Sequence, residues 1–372
     1  MKSSKPGTTA SAPESMKIVI TGICGFVGSE LALQLRRRFS EAHVAGIDNL
    51  GRPGSETNRP RLRTAGVTVM HGDVRCASDL NGIGEADWVI DAAANPSVLV
   101  GIDGRMSSRQ AVEHNLGGTL NVLEFCKERG AGLVLLSTSR VYSVKSLNAL
   151  PLVVRHQAFA PDDSDSAAWP SGASAAGVAE EFSTAGPVSL YGGTKIASEA
   201  MAIEYGDAFS LPVVIDRCGV LTGAGQFGTG EQGIFSYWVR AWASGQPLTY
   251  LGFGGTGHQV RDALHPADLA DVVERQLRAA SGAGGVWNVG GGPSNAMSLV
   301  QLSAWCADRF GERQVRADAG QRKWDVPWVV MDTTRVKERF GWTPTIPVAN
   351  ILDEIVQHHR FYPEWLSLSQ PL

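Results

Sequence analysis

The sequence predicts an α/β protein built on a doubly wound parallel sheet, with a smaller C-terminal α/β lobe that would carry the substrate. Three observations predict it. Lys17 to Ile20 is an apolar run that breaks into Gly22, Gly25 and Gly28, and Ser29 to Leu35 then repeats apolar residues at helical spacing, which puts the glycines at a strand-to-helix turn. Short apolar runs go on alternating with helical patterns as far as residue 218. Runs such as Leu133-Val134-Leu135-Leu136 are apolar throughout, as strands covered by helices on both faces are. Glycine at such a turn lets the backbone approach a pyrophosphate, which the free N–H groups and dipole of the helix attract, so the sheet is of the Rossmann type.

The first elements build a dinucleotide site. Ala42 to Asp48 reads as the second strand, ending in a carboxylate about twenty residues beyond the last glycine, where a dinucleotide site places an acid for the adenosine ribose. Asp48 would repel a 2′-phosphate and so favours NAD over NADP. Asn49 to Gly54 must be a loop, and Val67 to Asp73 repeats the strand pattern with a terminal acid that could meet the adenine edge. Asp87 to Ala94 is a fourth strand running into small residues, among them Ala92 and Ala93, which suit close approach of the cofactor. Ser107 to Arg129 is a long helical pattern containing Asn115. The next strand ends in Ser137-Thr138-Ser139-Arg140, hydroxyl groups at the carboxyl end of a parallel strand, where ligands bind.

From 143 to 187 periodicity is lost. The stretch is expected to be a long loop, either a lid or partner surface or an insertion of no consequence. Ser189 to Lys195 leads into a helix through about Phe209, with Tyr191 and Lys195 four apart on one face. Leu211 to Arg217 is the sixth strand. The remainder is less regular: helices over Phe235 to Ser244, Pro266 to Ala280, Leu299 to Phe310 and Val348 to His359, with strands near Leu248 to Leu251 and Gly285 to Val289. The division expected is a disordered leader at 1–15, a dinucleotide-binding domain at 16–218 and a mainly substrate-binding lobe at 219–372.

Composition narrows the function classes. The 372 residues are 43% hydrophobic and 19% charged with a net charge of -4, so nothing global draws the chain to nucleic acid or to an anionic membrane surface. No apolar run is long enough to span a bilayer. The five cysteines are scattered without a CxxC pair, which fits a reduced cytoplasm, and the histidines show no metal-ligand spacing. No metal, nucleic-acid or membrane partner is expected.

Taken in order, Thr21-Gly22-x-x-Gly25-Phe26-x-Gly28, Asp48-Asn49, Gly72-Asp73, Asn115, Ser137-Thr138 and Tyr191-x-x-x-Lys195 resemble the extended short-chain dehydrogenase/reductase family acting on nucleotide sugars. The second lobe is similar too: Gln259-Val260-Arg261-Asp262 and Gln321-Arg322-Lys323-Trp324-Asp325 resemble the family's phosphate-binding arginine segments. Within the family, Asp48-Asn49-Leu50-x-Arg52-x-Gly54, a basic residue just before Val141-Tyr142, Gln226-Phe227 and Glu231-Gln232-Gly233 resemble the CDP-paratose 2-epimerase (tyvelose epimerase) branch. The resemblance implies NAD held by Gly22, Gly25, Phe26, Val27, Asp48, Asn49, Arg52, Asp73, Val74, Ala92, Ala93, Asn115, Tyr191 and Lys195. It implies a nucleotide diphosphate sugar held by Ser139, Arg140, Gln226, Arg261, Arg322 and Asp325, with Arg140 contacting either substrate or a loop acid such as Asp162 or Asp163. A homodimer through the helices at 107–129 and 191–209 is implied as well.

The same resemblance assigns Thr138, Tyr191 and Lys195 to catalysis. Tyr191 would be the base, and lowering a phenol from roughly 10 by three units needs about 4 kcal/mol, which Lys195 and the nicotinamide charge could supply. Family dehydratases carry an Asp-Glu pair directly after the catalytic threonine, and the decarboxylases a Glu at its second place. Here Ser139 and Arg140 stand there, so both reactions are disfavoured. The expectation is an epimerase, with inversion at C2 preferred over C4. A keto-sugar reductase and, more remotely, a non-catalytic NAD-sensing regulator remain as alternatives.

Overall fold

The computed structural model describes residues 16–368 apart from 103, 105, 106, 163 and 165–168. The leader expected at 1–15 and the acid Asp163 therefore lie outside the described residues. A seven-stranded parallel sheet runs Gly285–Val289, Val213–Cys218, Gly132–Thr138, Trp88–Asp91, Lys17–Thr21, His43–Asp48, Thr68–His71 from edge to edge. The order reverses between Lys17–Thr21 and Trp88–Asp91, and that switch point opens the crevice in which a doubly wound sheet binds its ligand.

Apolar strand runs are explained by burial on both faces. Ile18 and Ile20 pack with Leu31, Leu35 and Val134 on one side, while Val19 packs with Ile47, Val89, Leu133 and Leu135 on the other. Each such side chain contributes about 1.5–3 kcal/mol when fully buried.

The strand Gly285–Val289 pairs with Val213–Cys218, and the helix Pro266–Ala279 packs against the helix Phe26–Arg38. These elements belong to the large domain although they fall after residue 218, so the sequence-based boundary does not divide the chain cleanly. The second lobe is made instead of Ile234–Ala243, Leu299–Phe310 and Val348–Phe361 around a core with Trp238, Trp242, Leu302 and Ile355, beside a small sheet containing Val260–Leu264. A short helix, Thr334–Phe340, lies where none was expected.

Two further differences bear on the site. The helical pattern at 107–129 is broken: Ser108–Val112 and Gly118–Arg129 are joined by a π turn over Glu113–Gly117, a feature frequent at functional sites. The stretch at 143–187 contains a helix, Val144–Asn148, a hairpin of Leu152–Arg155 with Ala158–Pro161, and a small ribbon of Ala173–Ser174 with Gly177–Val178. The hairpin is tied to the second lobe by Phe159 N–H to the His258 carbonyl (2.9 Å), Ser298 Oγ to the Gln157 carbonyl (2.8 Å) and Gln301 Nε2 to the His156 carbonyl (2.9 Å). No described helix is long and apolar enough to cross a membrane.

Candidate active site

A cavity of about 1130 Å³ follows the crevice from the glycine turn, past Ala92 and Ala93, to Thr138, Tyr191 and Lys195, and on to Arg261, Arg322 and Asp325 in the second lobe. Pockets for one small ligand range from about 300 to 1,000 Å³, so this one lies just above that range.

At the first end, Thr21 Oγ1 donates to Asp91 (2.6 Å) and accepts from the N–H groups of Ala92 and Ala93 (both 3.1 Å), which draws the two central strand ends together. The helix Phe26–Arg38 then begins without a side-chain cap and without an acid in its first turn, leaving its N–H groups to a ligand. Glycine is required at 28 because a Cβ there would stand 2.2 Å from the Gly22 carbonyl oxygen. Gly22, Gly25, Phe26, Val27 and Gly28 form the wall of the cavity, with Asp48 and Asn49 beside them. Asp48 accepts from the N–H groups of Cys24 and Leu50 (both 2.8 Å), and burial pushes its pKa up against those bonds. An uncapped helix end, a close glycine approach and a carboxylate at the neighbouring strand end fit a dinucleotide.

The residues expected to be catalytic meet where the strand Gly132–Thr138 ends beside the helix Leu190–Phe209. Ser189 caps that helix, its Oγ accepting from Gly192 N–H at 3.0 Å, and it does so at φ 125, a backbone strain of about 1–3 kcal/mol for a residue other than glycine. Gly192 lets the helix close on the catalytic loop, since a Cβ there would be 2.4 Å from the Arg140 carbonyl oxygen. Burial pushes the Tyr191 phenol up to about 12, with the neighbouring Thr138 side chain acting against it. Lys195 was expected beside it as the charge favouring phenolate. Its Nζ instead donates to the Leu136 carbonyl (2.8 Å), and the cation acting on Tyr191 is Arg140.

Several predicted ligand-binding residues take supporting places. Asp73 is absent from the described cavity wall, its carboxylate being held by Asn49 Nδ2 (2.9 Å) and by a two-pronged Arg75, while Val74 lines the wall. Arg75 holds the Asp73 carboxyl well below the usual carboxylate range. Asn115 also lies off the wall: the π turn aims its amide at the Asn95 backbone and at Thr194 Oγ1 (3.1 Å), one residue before Lys195. Arg52 lines the cavity but its guanidinium reaches the second lobe, bonding Gln232 Oε1 (2.9 Å) and the Phe227 carbonyl. Gln226 lines the cavity as well, with its amide turned to the Leu221 carbonyl and to Thr222.

The far end is cationic. Arg261 donates to Asp325 (3.3 Å) and to the Val326 carbonyl (2.9 Å), with Arg322 on the same wall. Ser139 and Arg140 line the passage between this end and Tyr191. Arg140 Nη1 donates to the Trp324 carbonyl (3.2 Å), and no described acid of the insertion meets it; Asp162 bonds the Ser164 N–H instead. No described residue between 143 and 187 lines the cavity.

Two groups escaped sequence reasoning. Glu199 and Arg217 form a buried pair in which Arg217 Nη2 meets Glu199 Oε2 at 2.7 Å, with Ser137 Oγ also donating to Glu199. Glu199 lies four residues after Lys195, and Arg217 is a charge inside an apolar strand; those were the available signals. Asp91, which accepts from both Thr21 and Thr119 (2.8 Å), is the other.

Residues 18–290 match the model of the NAD dependent epimerase/dehydratase family. The chain is 27% identical over 343 residues to a CDP-paratose 2-epimerase of Salmonella typhi, covering 89% of this chain and 95% of that protein. It is 25% identical over 360 residues to a dTDP-glucose 4,6-dehydratase of Streptomyces niveus, covering 94% of each. A UDP-glucuronic acid 4-epimerase of Bacillus cereus, solved with NAD and UDP-4-deoxy-4-fluoro-glucuronic acid, superposes with a TM-score of 0.74 at 22% identity, covering 93% of this chain and all of that one.

Proposed function

The chain belongs to the NAD dependent epimerase/dehydratase family, and from that premise we propose that it is a nucleotide-sugar epimerase inverting C2 of its sugar by transient oxidation. NAD is the cofactor, and it supplies a hydride acceptor that gives the hydride back. The chain supplies everything else. Tyr191 takes the sugar hydroxyl proton and later returns it, Thr138 orients the same oxygen, and Lys195, whose Nζ meets the Leu136 carbonyl, is the residue we assign to the nicotinamide ribose. Arg140 and the positive charge of the cofactor work against the burial that keeps Tyr191 a phenol.

One observation carries the choice of epimerase over dehydratase: no carboxylate follows Thr138. Among the described residues the acids on the cavity wall are Asp48, Glu231, Asp318 and Asp325, and none stands at 139 or 140, directly after Thr138. C2 is preferred over C4 on the segments shared with the 2-epimerase branch. A homodimer through Ser108–Arg129 and Leu190–Phe209 is supported by Val112, Leu190, Ile203 and Phe209, large apolar side chains left exposed on those helices.

The test is direct. Purified protein should release NAD(H) on denaturation, and a protein empty of it would count against an epimerase and for an exchanging reductase. Incubation with CDP- and UDP-sugars in H₂O and D₂O should give a C2 epimer without solvent deuterium; deuterium uptake would point to an enol route. Tyr191→Phe should keep NAD and lose turnover.

A further inference from the structure

Arg140 stands at the position where the family's reactions diverge, and its side chain takes an informative path. Its backbone N–H bonds Thr138 Oγ1 (3.2 Å), while its guanidinium reaches the Trp324 carbonyl (3.2 Å), two residues after Arg322 and one before Asp325. One arginine side chain therefore spans the whole distance from the catalytic threonine to the segment carrying an arginine of the diphosphate-binding class. Among the described residues the Trp324 bond is the only one its guanidinium makes, and Arg140 lines the cavity, so its other N–H donors are left without a described partner.

The surrounding charge suits one ligand chemistry. Arg140, Arg261 and Arg322 act on one another and on Asp325, which is held by Arg261, and three guanidinium groups gathered at one end of the cavity suit a diphosphate. Burial and the neighbouring arginines push Arg140 down to about 10, so it remains charged at neutral pH.

Resting on the epimerase reading, we propose that Arg140 is a positioning residue that holds the sugar-side phosphate against the catalytic end, so that the carbon presented to Thr138 and Tyr191 is C2. In a nucleotide sugar that phosphate is attached through oxygen to C1. C2 is the next ring atom, whereas C4 lies across the ring. A phosphate anchored by the residue two after Thr138 keeps C1 near that threonine, and C2 is the ring carbon beside C1. Anchoring also serves the inversion itself. A sugar turning about its link to a fixed phosphate carries C2 through a small arc, and both faces of that carbon come back to the same hydride position.

The experiment uses NAD-loaded protein and the variants Arg140→Gln and Arg140→Lys. CDP carries the sugar-side phosphate and CMP lacks it, so their affinity ratio reads the contact without turnover; UDP and UMP repeat the measurement on a second base. Arg140→Gln should lose about tenfold or more of the preference for diphosphate, with CMP and UMP affinity unchanged, and Arg140→Lys should recover part of it. Retained NAD content certifies that the variants fold. An unchanged ratio in Arg140→Gln overturns the phosphate contact even if the wild type is an epimerase. A C4 epimer from the wild type overturns the C2 assignment. Loss of the ratio with no epimer from any CDP- or UDP-sugar overturns the epimerase reading and the C2 assignment with it, while leaving the contact in place.

Discussion

Glu199→Gln should destabilise the protein and misplace its catalytic residues together. Both side chains of the Glu199–Arg217 pair are nearly sealed from water, at 6% and 10% exposure, and Arg217 Nε lies 3.2 Å from each carboxylate oxygen while Nη2 lies at 2.7 Å. Glutamine keeps the shape and removes the charge, leaving a buried guanidinium uncompensated. Such a break costs about 3–5 kcal/mol. Unfolding entropy of about 2.1 cal/mol/K per residue over this length comes to about 0.8 kcal/mol/K, so Tm should fall by about 4–6 °C. Glu199 follows Lys195 by one helical turn and holds Ser137, the neighbour of Thr138, so kcat should also fall by about tenfold to a hundredfold. Calorimetry with saturating NAD, alongside turnover of the epimerised sugar, checks both. The double variant Glu199→Gln with Arg217→Met should recover part of the loss, because replacing both partners removes the stranded charge. A Tm drop below about 1 °C, or a double variant as unstable as the two losses added, would refute the pair's role.

Gly28→Ala should purify without NAD, since its Cβ would stand 2.2 Å from the Gly22 carbonyl; a full complement of released cofactor would contradict the cradle. Asp216 is buried in the sheet with Gln276 as its partner (2.7 Å), and burial raises it from 3.8 to about 7. The native state thus keeps a proton that the unfolded chain releases, and this carboxyl makes stability fall as pH rises from about 4 to 7. Asp216→Asn should lose that slope and gain on the wild type by on the order of 2–4 kcal/mol at pH 8; urea midpoints showing the same gap at pH 4 and pH 8 would rule it out. Ile203→Asp with Phe209→Asp, at side chains 50% and 46% exposed, should turn a sedimenting dimer into a monomer, and a wild type already monomeric at micromolar concentration would dismiss that interface.

What was legible in the sequence was local. The glycine turn, Asp48, Thr138 and the Tyr191, Lys195 pair each lie within one strand end or one helical turn, so short motifs, read with the family resemblance, locate them. Asn115 and Asp73 lie in the expected region, and the bonds that Thr194 and Arg75 make to their side chains are recorded by no sequence pattern. The hairpin in the insertion was hidden by its turn. His156 and Gln157 both adopt positive φ, at 49 and 61, a conformation that Asn-Gly signals and these residues do not. Glu199 and Arg217 meet across eighteen residues between a helix and a strand, and the return of Gly285–Val289 to the large sheet is a matter of topology rather than of local preference.

That hairpin bears on a question of partition. A sugar that has given up its hydride faces three exits: back to substrate, on to product, or out into solvent, where it leaves a reduced cofactor behind and a stalled protein. The segment at 143–187 leaves the large domain directly after the catalytic strand and clasps the other lobe at His258, Ser298 and Gln301, while Val178 pairs with Met331. The floor bearing Tyr191 and the wall bearing Arg261 are thereby fastened outside the cavity. Gaping between them is the movement that would free a keto sugar from the proposed epimerase, and the described residues of the clasp oppose it from outside the cavity wall.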